Sequence, residues 1–403
     1  MEKPARGVAP LDSRFKDGTM ELMYPGDRAL LMVGETYYTA DLYYATRYLF
    51  PDPVIYIDKG DGDSLIACGD FEREGAATHS KAVRVRGFQD YGAAELPDEL
   101  HPHQRLAELA LRALRDEGVA CAVTTDSIPL SVADHLRAHG IDLLCQPELL
   151  RNIRERKDPR ELSAIEAAQH ATAEAMGLAI ELIGGATVGE DDILYTGVLP
   201  LTSERLRAAI DASLQERGCG GEGTITASGL DSAQPHNHGH GTIRAGQPVV
   251  IDIFPRHKTL RYYADMTRTV CKGAPSAEIA RMYDATHDAL QYALGLLRPG
   301  ATGQTVFEEV CRFYEGRGYP TYLREGKFPA EGFVHSLGHG VGLEVHEGPG
   351  LGRRPDQLEE GQVITVEPGL YMPGLGGVRI EDMVVLTADG CRNLTNYPAE
   401  LVV

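Results

Sequence analysis

No run in this 403-residue chain approaches the roughly 18 consecutive apolar residues of a membrane span. The opening Met1-Glu2-Lys3-Pro4-Ala5-Arg6 has no apolar stretch of the kind a secretory signal carries. Cysteine is sparse and unpatterned: seven residues, at 68, 121, 145, 219, 271, 311 and 391, with no Cys-x-x-Cys among them. That argues against a disulfide framework and for reduced thiols in a cytoplasmic setting. Positive charge is also short, with 39 Lys and Arg against 59 Asp and Glu, for a formal charge of -20. A chain of that sign is not expected to take nucleic acid or an anionic membrane as its main partner.

What remains is ordinary globular composition, 43% hydrophobic and 24% charged, in a length that suggests two or more domains. The first two dozen residues mix Pro, Gly and charge and read as an arm. Ala29–Val33 and Val54–Ile57 read as buried strands, with a helix expected across Tyr37–Phe50 between them. Further strands are expected at Ser64–Ala67, Ala82–Val85 and Ala120–Val123, with helices at Leu106–Arg115 and Leu130–His139. The alternation predicts an α/β domain over residues 1–150 with a covered sheet, and no phosphate-cradling glycine motif occurs in it. Asp158-Pro159-Arg160-Glu161 then supplies an N-cap, a first-turn proline and a capping-box acid. From there a helical face runs for over five turns to Gly184-Gly185.

The second part, residues 151–403, repeats itself. Gly246-Gln247-Pro248-Val249-Val250-Ile251-Asp252 and Gly361-Gln362-Val363-Ile364-Thr365-Val366-Glu367 each climb through an apolar run to a carboxylate six residues past the glycine. A second acid follows each, Asp265 and Glu381. Before each set come two helices, Asp158–Gly184 and Thr202–Arg217 in one half, Ser276–Leu297 and Thr305–Gly316 in the other. Asp252 and Glu367 lie 115 residues apart, and Asp265 and Glu381 lie 116 apart. Four carboxylates converging at apolar strand ends would be forced to take up protons unless cations lay between them. Two divalent ions would offset them, and oxygen ligands with one imidazole suit manganese, iron, cobalt or zinc. The embedded His335-Ser336-Leu337-Gly338-His339 and Glu344-Val345-His346-Glu347 supply imidazoles. A separate cluster at His236-x-His238-x-His240 is the weaker candidate, because the complete ligand set lies elsewhere.

In His335-x-x-x-His339, Val345-His346-Glu347, Thr365-Val366-Glu367-Pro368-Gly369 and Val378-Arg379-Ile380-Glu381-Asp382 the chain resembles the pita-bread metallopeptidases. Within them it is most similar to the proline-specific branch, Xaa-Pro dipeptidase (prolidase) and aminopeptidase P. The likeness is dense over roughly residues 150–403. It implies an α+β fold, with mirrored helix–helix–strand halves around a metal pair, behind a creatinase-like N-terminal domain.

By the same resemblance Asp252 chelates one metal, Asp265 and Glu381 bridge both, and His339 and Glu367 complete the second. A water or hydroxide shared by the metals (manganese first, zinc or cobalt as alternatives) is the implied nucleophile. Glu367 would shuttle its proton to the leaving proline nitrogen. His335 and His346 would stabilise the oxyanion and the residue after the scissile bond, and His236, Arg379 and Tyr262 would line the substrate pocket. Thr267 is placed to hydrogen-bond a ligand from behind.

The expected substrates are Xaa-Pro dipeptides, with longer Xaa-Pro peptides as the alternative and a homodimer as the expected assembly. A metal-free binding protein on the same fold is the distant alternative, disfavoured by the complete ligand set. Two departures stand out. The Asp252–Asp265 interval is two residues longer than usual, an even change that keeps both acids on one strand face. Gly350 stands where some prolidases carry an arginine for the dipeptide carboxylate, with Arg353 and Arg354 nearby as possible substitutes.

Overall fold

A computed structural model describes residues 14–16, 19–21, 24, 28–60, 62–221 and 223–403. Of the expected N-terminal arm, a two-stranded hairpin pairing Arg14–Lys16 with Thr19–Glu21 is described, and most of the rest lies outside these residues. The chain divides into two compact units, Met1–Arg154 and Glu155–Val403. Among the described residues no helix is long and apolar enough to cross a membrane.

The first unit is built on a six-stranded sheet. Its spatial order is Arg84–Gly87, Ser64–Cys68, Val54–Asp58, Ala29–Gly34, Cys121–Thr124 and Asp142–Cys145. The two central pairings are antiparallel and the outer three parallel. Ala29-Leu30-Leu31-Met32-Val33 is apolar without alternation because both faces are covered. Leu31 and Val33 pack with the helices Pro102–Asp116 and Leu130–Ala138, while Leu30 and Met32 face Leu42, Phe50 and Leu150.

Three expectations shift here. The helix expected over Tyr37–Phe50 occupies only Ala40–Thr46, because Arg47 turns left-handed at φ 56° and Phe50 is drawn into the core, its N–H on Thr36 Oγ1 at 2.8 Å. The strand expected at Ala82–Val85 is Arg84–Gly87, and Asp142–Cys145 is an additional strand.

At one edge Arg84 forks onto two carboxylates, Asp63 at 2.7 and 2.9 Å and Glu117 at 2.7 Å twice, while Lys59 also reaches Glu117. These bonds, Arg84's first, hold Glu117 down from 4.5 to about 2. Because the folded-state value is the lower one, this stabilisation is present above the ordinary carboxylate range and is lost as pH falls from about 4.5 towards 2. Urea titrations of wild type and Glu117→Gln should therefore differ at pH 7 and converge near pH 2. A gap independent of pH would show that the ion pair is not its source.

In the second unit the capping box forms as the sequence predicts. Asp158 Oδ1 accepts from Glu161 N at 2.8 Å, Glu161 Oε2 accepts from Asp158 N at 2.9 Å, and the helix runs Pro159–Gly184. Thr202, Ser276 and Thr302 cap the helices Ser203–Glu216, Ala277–Leu296 and Gly303–Gly316. Each half then lays down antiparallel strands. The first set is Ile225–Ser228, Val249–Ile253 and Met266–Val270; the second is Glu347–Leu351, Gly338–Gly340, Val363–Val366, Asp382–Thr387 and Gly390–Asn393.

Each half has its own apolar core, one around Ala175, Ile210 and Ile251, the other around Phe307, Ile364 and Val384. The halves meet at the strands that carry the acids. Glu381 N donates to Thr267 O at 3.0 Å, and Thr269 Oγ1 bonds both the carbonyl and the N–H of Arg379. Within the Asp252–Asp265 interval, Arg256–His257 pairs with Cys219–Gly220. Asp252 lies opposite Thr267, so Asp265, two residues before it, shares the same face.

Candidate metal centre

Five residues expected to form one site are delivered by strands and strand ends. Asp252 lies within Val249–Ile253, Asp265 just before Met266–Val270, and His339 at the middle of Gly338–Gly340. Glu367 follows Val363–Val366, and Glu381 precedes Asp382–Thr387. The glycines around His339 are required by packing. A Cβ on Gly338 would meet Thr365 O at 2.0 Å, and one on Gly340 would meet Gly348 O at 2.1 Å.

Ligand atoms of Asp265, His339 and Glu381 all lie within 4.8 Å of one another. His339 Nε2 is 3.7 Å from Asp265 Oδ2 and 3.5 Å from Glu367 Oε1, too far for good hydrogen bonds. Its Nδ1 is 3.1 Å from Gly340 O. A carbonyl only accepts, so Nδ1 carries the proton and Nε2 offers a lone pair. Burial, helped by His346, pushes His339 down to about 3, which keeps the ring neutral at physiological pH.

Asp252 joins the group through Arg379, whose Nη2 donates to its Oδ2 at 2.7 Å. The same guanidinium donates from Nε to Thr267 Oγ1 at 3.2 Å and from Nη1 to the Tyr371 hydroxyl at 2.7 Å and Pro235 O at 3.3 Å. Thr267 Oγ1 in turn donates to Glu381 Oε2 at 2.8 Å. The far end of the chain is His335, whose Nε2 lies 3.0 Å from the Tyr371 hydroxyl and whose Nδ1 donates to Ser336 O at 2.6 Å. Tyr371 carried no signal in the sequence beyond following Glu367 by four residues. Its register opposite Gly377, two residues from Arg379, is what brings it in.

Electrostatics state the cost of this convergence. Burial and the neighbouring carboxylates push Asp265 and Glu381 well above the usual carboxylate range, and burial lifts Glu367 to about 7. Asp252 Oδ1 and Asp265 Oδ1 are buried with no hydrogen-bond partner. Uncovered carboxylate oxygens beside a neutral imidazole nitrogen are a donor set that divalent cations satisfy, so the residues fit a metal.

The remaining candidates are placed as follows. His346 is exposed and stacks edge-to-face on His339 with ring centres 4.3 Å apart. His236 is exposed and close enough to help lower the basicity of His335 and His346. His238 Nδ1 lies 3.3 Å from Thr224 O, and His240 Nδ1 lies 2.7 Å from Asp231 Oδ2. Among the described residues the cluster suited to a metal is the one at His339. Tyr262 is buried, and its hydroxyl donates to Glu161 Oε1 at 2.6 Å. Arg353 and Arg354 are exposed, the first against the Tyr322 and Phe328 rings, the second 3.6 Å from Asp356.

Residues 163–388 match the metallopeptidase family M24. The chain belongs to that family. This M24 member is 32% identical over 290 residues to a Xaa-Pro dipeptidase of Pyrococcus horikoshii, covering 71% of this chain and 76% of the relative. It is 40% identical over 184 residues to a Xaa-Pro dipeptidase of Pyrococcus furiosus, covering 44% and 49%. In matches of the latter kind the chain spans about half the length of the curated relative. Among solved structures it is similar to a prolidase from P. horikoshii OT3, with 27% identity, 93% and 95% coverage and a TM-score of 0.73. An X-Pro aminopeptidase from Thermotoga maritima MSB8 gives 26%, 94% and 98%, and 0.76. The second unit has the pita-bread fold that the sequence motifs imply.

Proposed function

We propose that this M24 member hydrolyses the bond before proline in short peptides, dipeptides first, with two divalent ions (manganese foremost) held by Asp252, Asp265, His339, Glu367 and Glu381. The observation that carries this reading is the buried junction of Asp265, His339 and Glu381, with Asp252 Oδ1 and Asp265 Oδ1 left bare beside it. The names of the relatives, Xaa-Pro dipeptidase twice, support the substrate class. When bound, the ions supply positive charge that polarises the scissile carbonyl and acidifies a water.

The chain's own groups do the rest. Glu367, lifted by burial to about 7, accepts a proton from the attacking water and returns it to the proline nitrogen. As the C–O bond forms and the C–N bond breaks, that nitrogen leaves as a secondary amine. It cannot leave as an amide anion, so the returned proton is obligatory. Arg379 holds Asp252 in place, and through Thr267 it helps orient Glu381. Both nitrogens of His335 are engaged, so in our reading it braces Tyr371 and Arg379, and the oxyanion contact falls to His346. Tyr262 likewise supports the helix start at Glu161, while the exposed His236 is left as a substrate contact. Residues 1–150 would form a separate creatinase-like domain, and a cytoplasmic homodimer is the assembly we infer.

Gly350 favours a second reading, aminopeptidase P action on longer Xaa-Pro peptides, because no arginine occupies that position to hold a dipeptide carboxylate. The test is hydrolysis of a Xaa-Pro dipeptide and a Xaa-Pro-Xaa tripeptide after chelation and after re-addition of Mn²⁺, Co²⁺ or Zn²⁺. Activity should vanish on chelation and return with metal, with the dipeptide preferred. Preference for the tripeptide would establish the second reading. No turnover of either with metal bound would defeat both.

A further inference from the structure

The face of strand Met266–Val270 opposite Thr267 carries a cation that the chemistry above does not use. Arg268 is 2% exposed. All five of its N–H bonds find acceptors, the full capacity of a guanidinium. Nε donates to Pro398 O at 2.9 Å. Nη1 donates to Thr267 O at 2.9 Å and to Glu381 O at 2.7 Å. Nη2 donates to Asp382 Oδ1 at 2.8 Å and to Tyr397 O at 2.7 Å.

An ion pair with Asp382 alone would satisfy the charge. Four backbone carbonyls in addition make Arg268 a clamp, and two of the four bear directly on Glu381. Glu381 lies just outside its strand, so no ladder fixes its main chain. Its N–H is held by Thr267 O and its carbonyl by Arg268, which also holds Thr267 O. On the other face Thr267 Oγ1 holds the carboxylate. Remove Arg268 and the main chain on which that carboxylate is aimed loses one of its two fastenings. Asp382, the charged partner, is kept in place by Asn393 Nδ2 at 2.6 Å.

Resting on the assignment of Asp265, His339 and Glu381 as ligands, we propose that Arg268 is a positioning residue for the metal centre. It acts from behind the sheet, fixing the main chain of Glu381 and tying it to the Tyr397–Pro398 segment. It touches no reacting atom. Residues that orient a ligand from outside typically change metal affinity by roughly 10–100-fold.

The experiment is a Co²⁺ titration of the metal-stripped full-length protein, followed by calorimetry and by the visible absorption of bound Co²⁺. Arg268→Met is expected to weaken affinity about tenfold and to alter the absorption band. At saturating Co²⁺ it should lower kcat with little change in KM. Arg268→Lys should recover part of the affinity. Should Arg268→Met fail to fold by circular dichroism, Arg268→Lys and Asp382→Asn carry the test, each with a smaller loss in the same direction. Folded variants with wild-type affinity and wild-type spectrum would overturn the proposal while leaving the ligand assignment intact. A wild type that takes up no Co²⁺, or a Glu381→Gln variant that binds it undiminished, would overturn the assignment and the proposal together.

Discussion

Glu367→Gln is expected to lower kcat about a thousandfold, within the usual range for removal of a general acid–base group. Glutamine keeps the volume and one oxygen but cannot take up or return a proton. Burial, opposed by Arg379, brings Glu367 to about 7, which matches a group exchanging a proton near neutrality. As for any amide, the leaving nitrogen must be protonated before it departs, since expulsion as an anion is prohibitive. Glu367 also lies 3.5 Å from His339 Nε2, so loss of a ligand must be separated from loss of the shuttle. Metal content should therefore be measured beside turnover, and kcat compared at saturating Mn²⁺. A deficit that persists there belongs to proton transfer. Activity within tenfold of wild type at saturation would sink the shuttle role, and recovery in step with metal occupancy would leave Glu367 a ligand only.

What was legible in the sequence, and what was not, follows from range. Capping at Asp158 is decided within four residues, and it appears as expected. The acids were legible because a carboxylate at the end of an apolar run is costly, and the pattern occurs twice. Parity along a strand was enough to place Asp265 with Thr267 and Asp252. Partnerships across more than a hundred residues leave no such trace. Nothing local to Arg379 names Asp252 as its partner, and nothing near Arg268 points to Tyr397. His335 was legible by its spacing from His339, whereas the engagement of both its nitrogens was not. The short Asp142–Cys145 strand and the three short antiparallel strands Thr187–Val188, Leu194–Thr196 and Leu199–Pro200 escaped because their pairing, not their composition, makes them strands. The overextended helix at Tyr37–Phe50 failed for the opposite reason. Local aromatic content suggested continuity, and the core's claim on Phe50 ended it.

Replacing Arg379 by Met should destabilise the metal-free protein by about 3 kcal/mol, the usual result of deleting one member of a buried ion pair. Arg379 is 3% exposed and donates to Asp252 directly and towards Glu381 through Thr267. Without it Asp252 Oδ2 loses its donor while Oδ1 already has none. The carboxylates can respond only by holding protons more tightly, and Asp265 and Glu381 are already pushed up by burial and by one another. An acid whose folded-state value is raised stabilises the fold at low pH and costs stability as pH climbs past its unfolded value. The deficit should therefore widen as pH rises above the ordinary carboxylate range. A divalent ion brings the missing positive charge, so Mn²⁺ should raise the melting temperature of Arg379→Met by more than it raises that of wild type. Arg379→Lys, which keeps the charge without the planar fork, should fall between the two. Melting curves at pH 5.5 and 8, with and without Mn²⁺, decide the matter. A metal-free variant as stable as wild type at both pH values would mean that the carboxylates do not depend on Arg379. The balance of charge in the site would then have to be sought in the protons the acids retain.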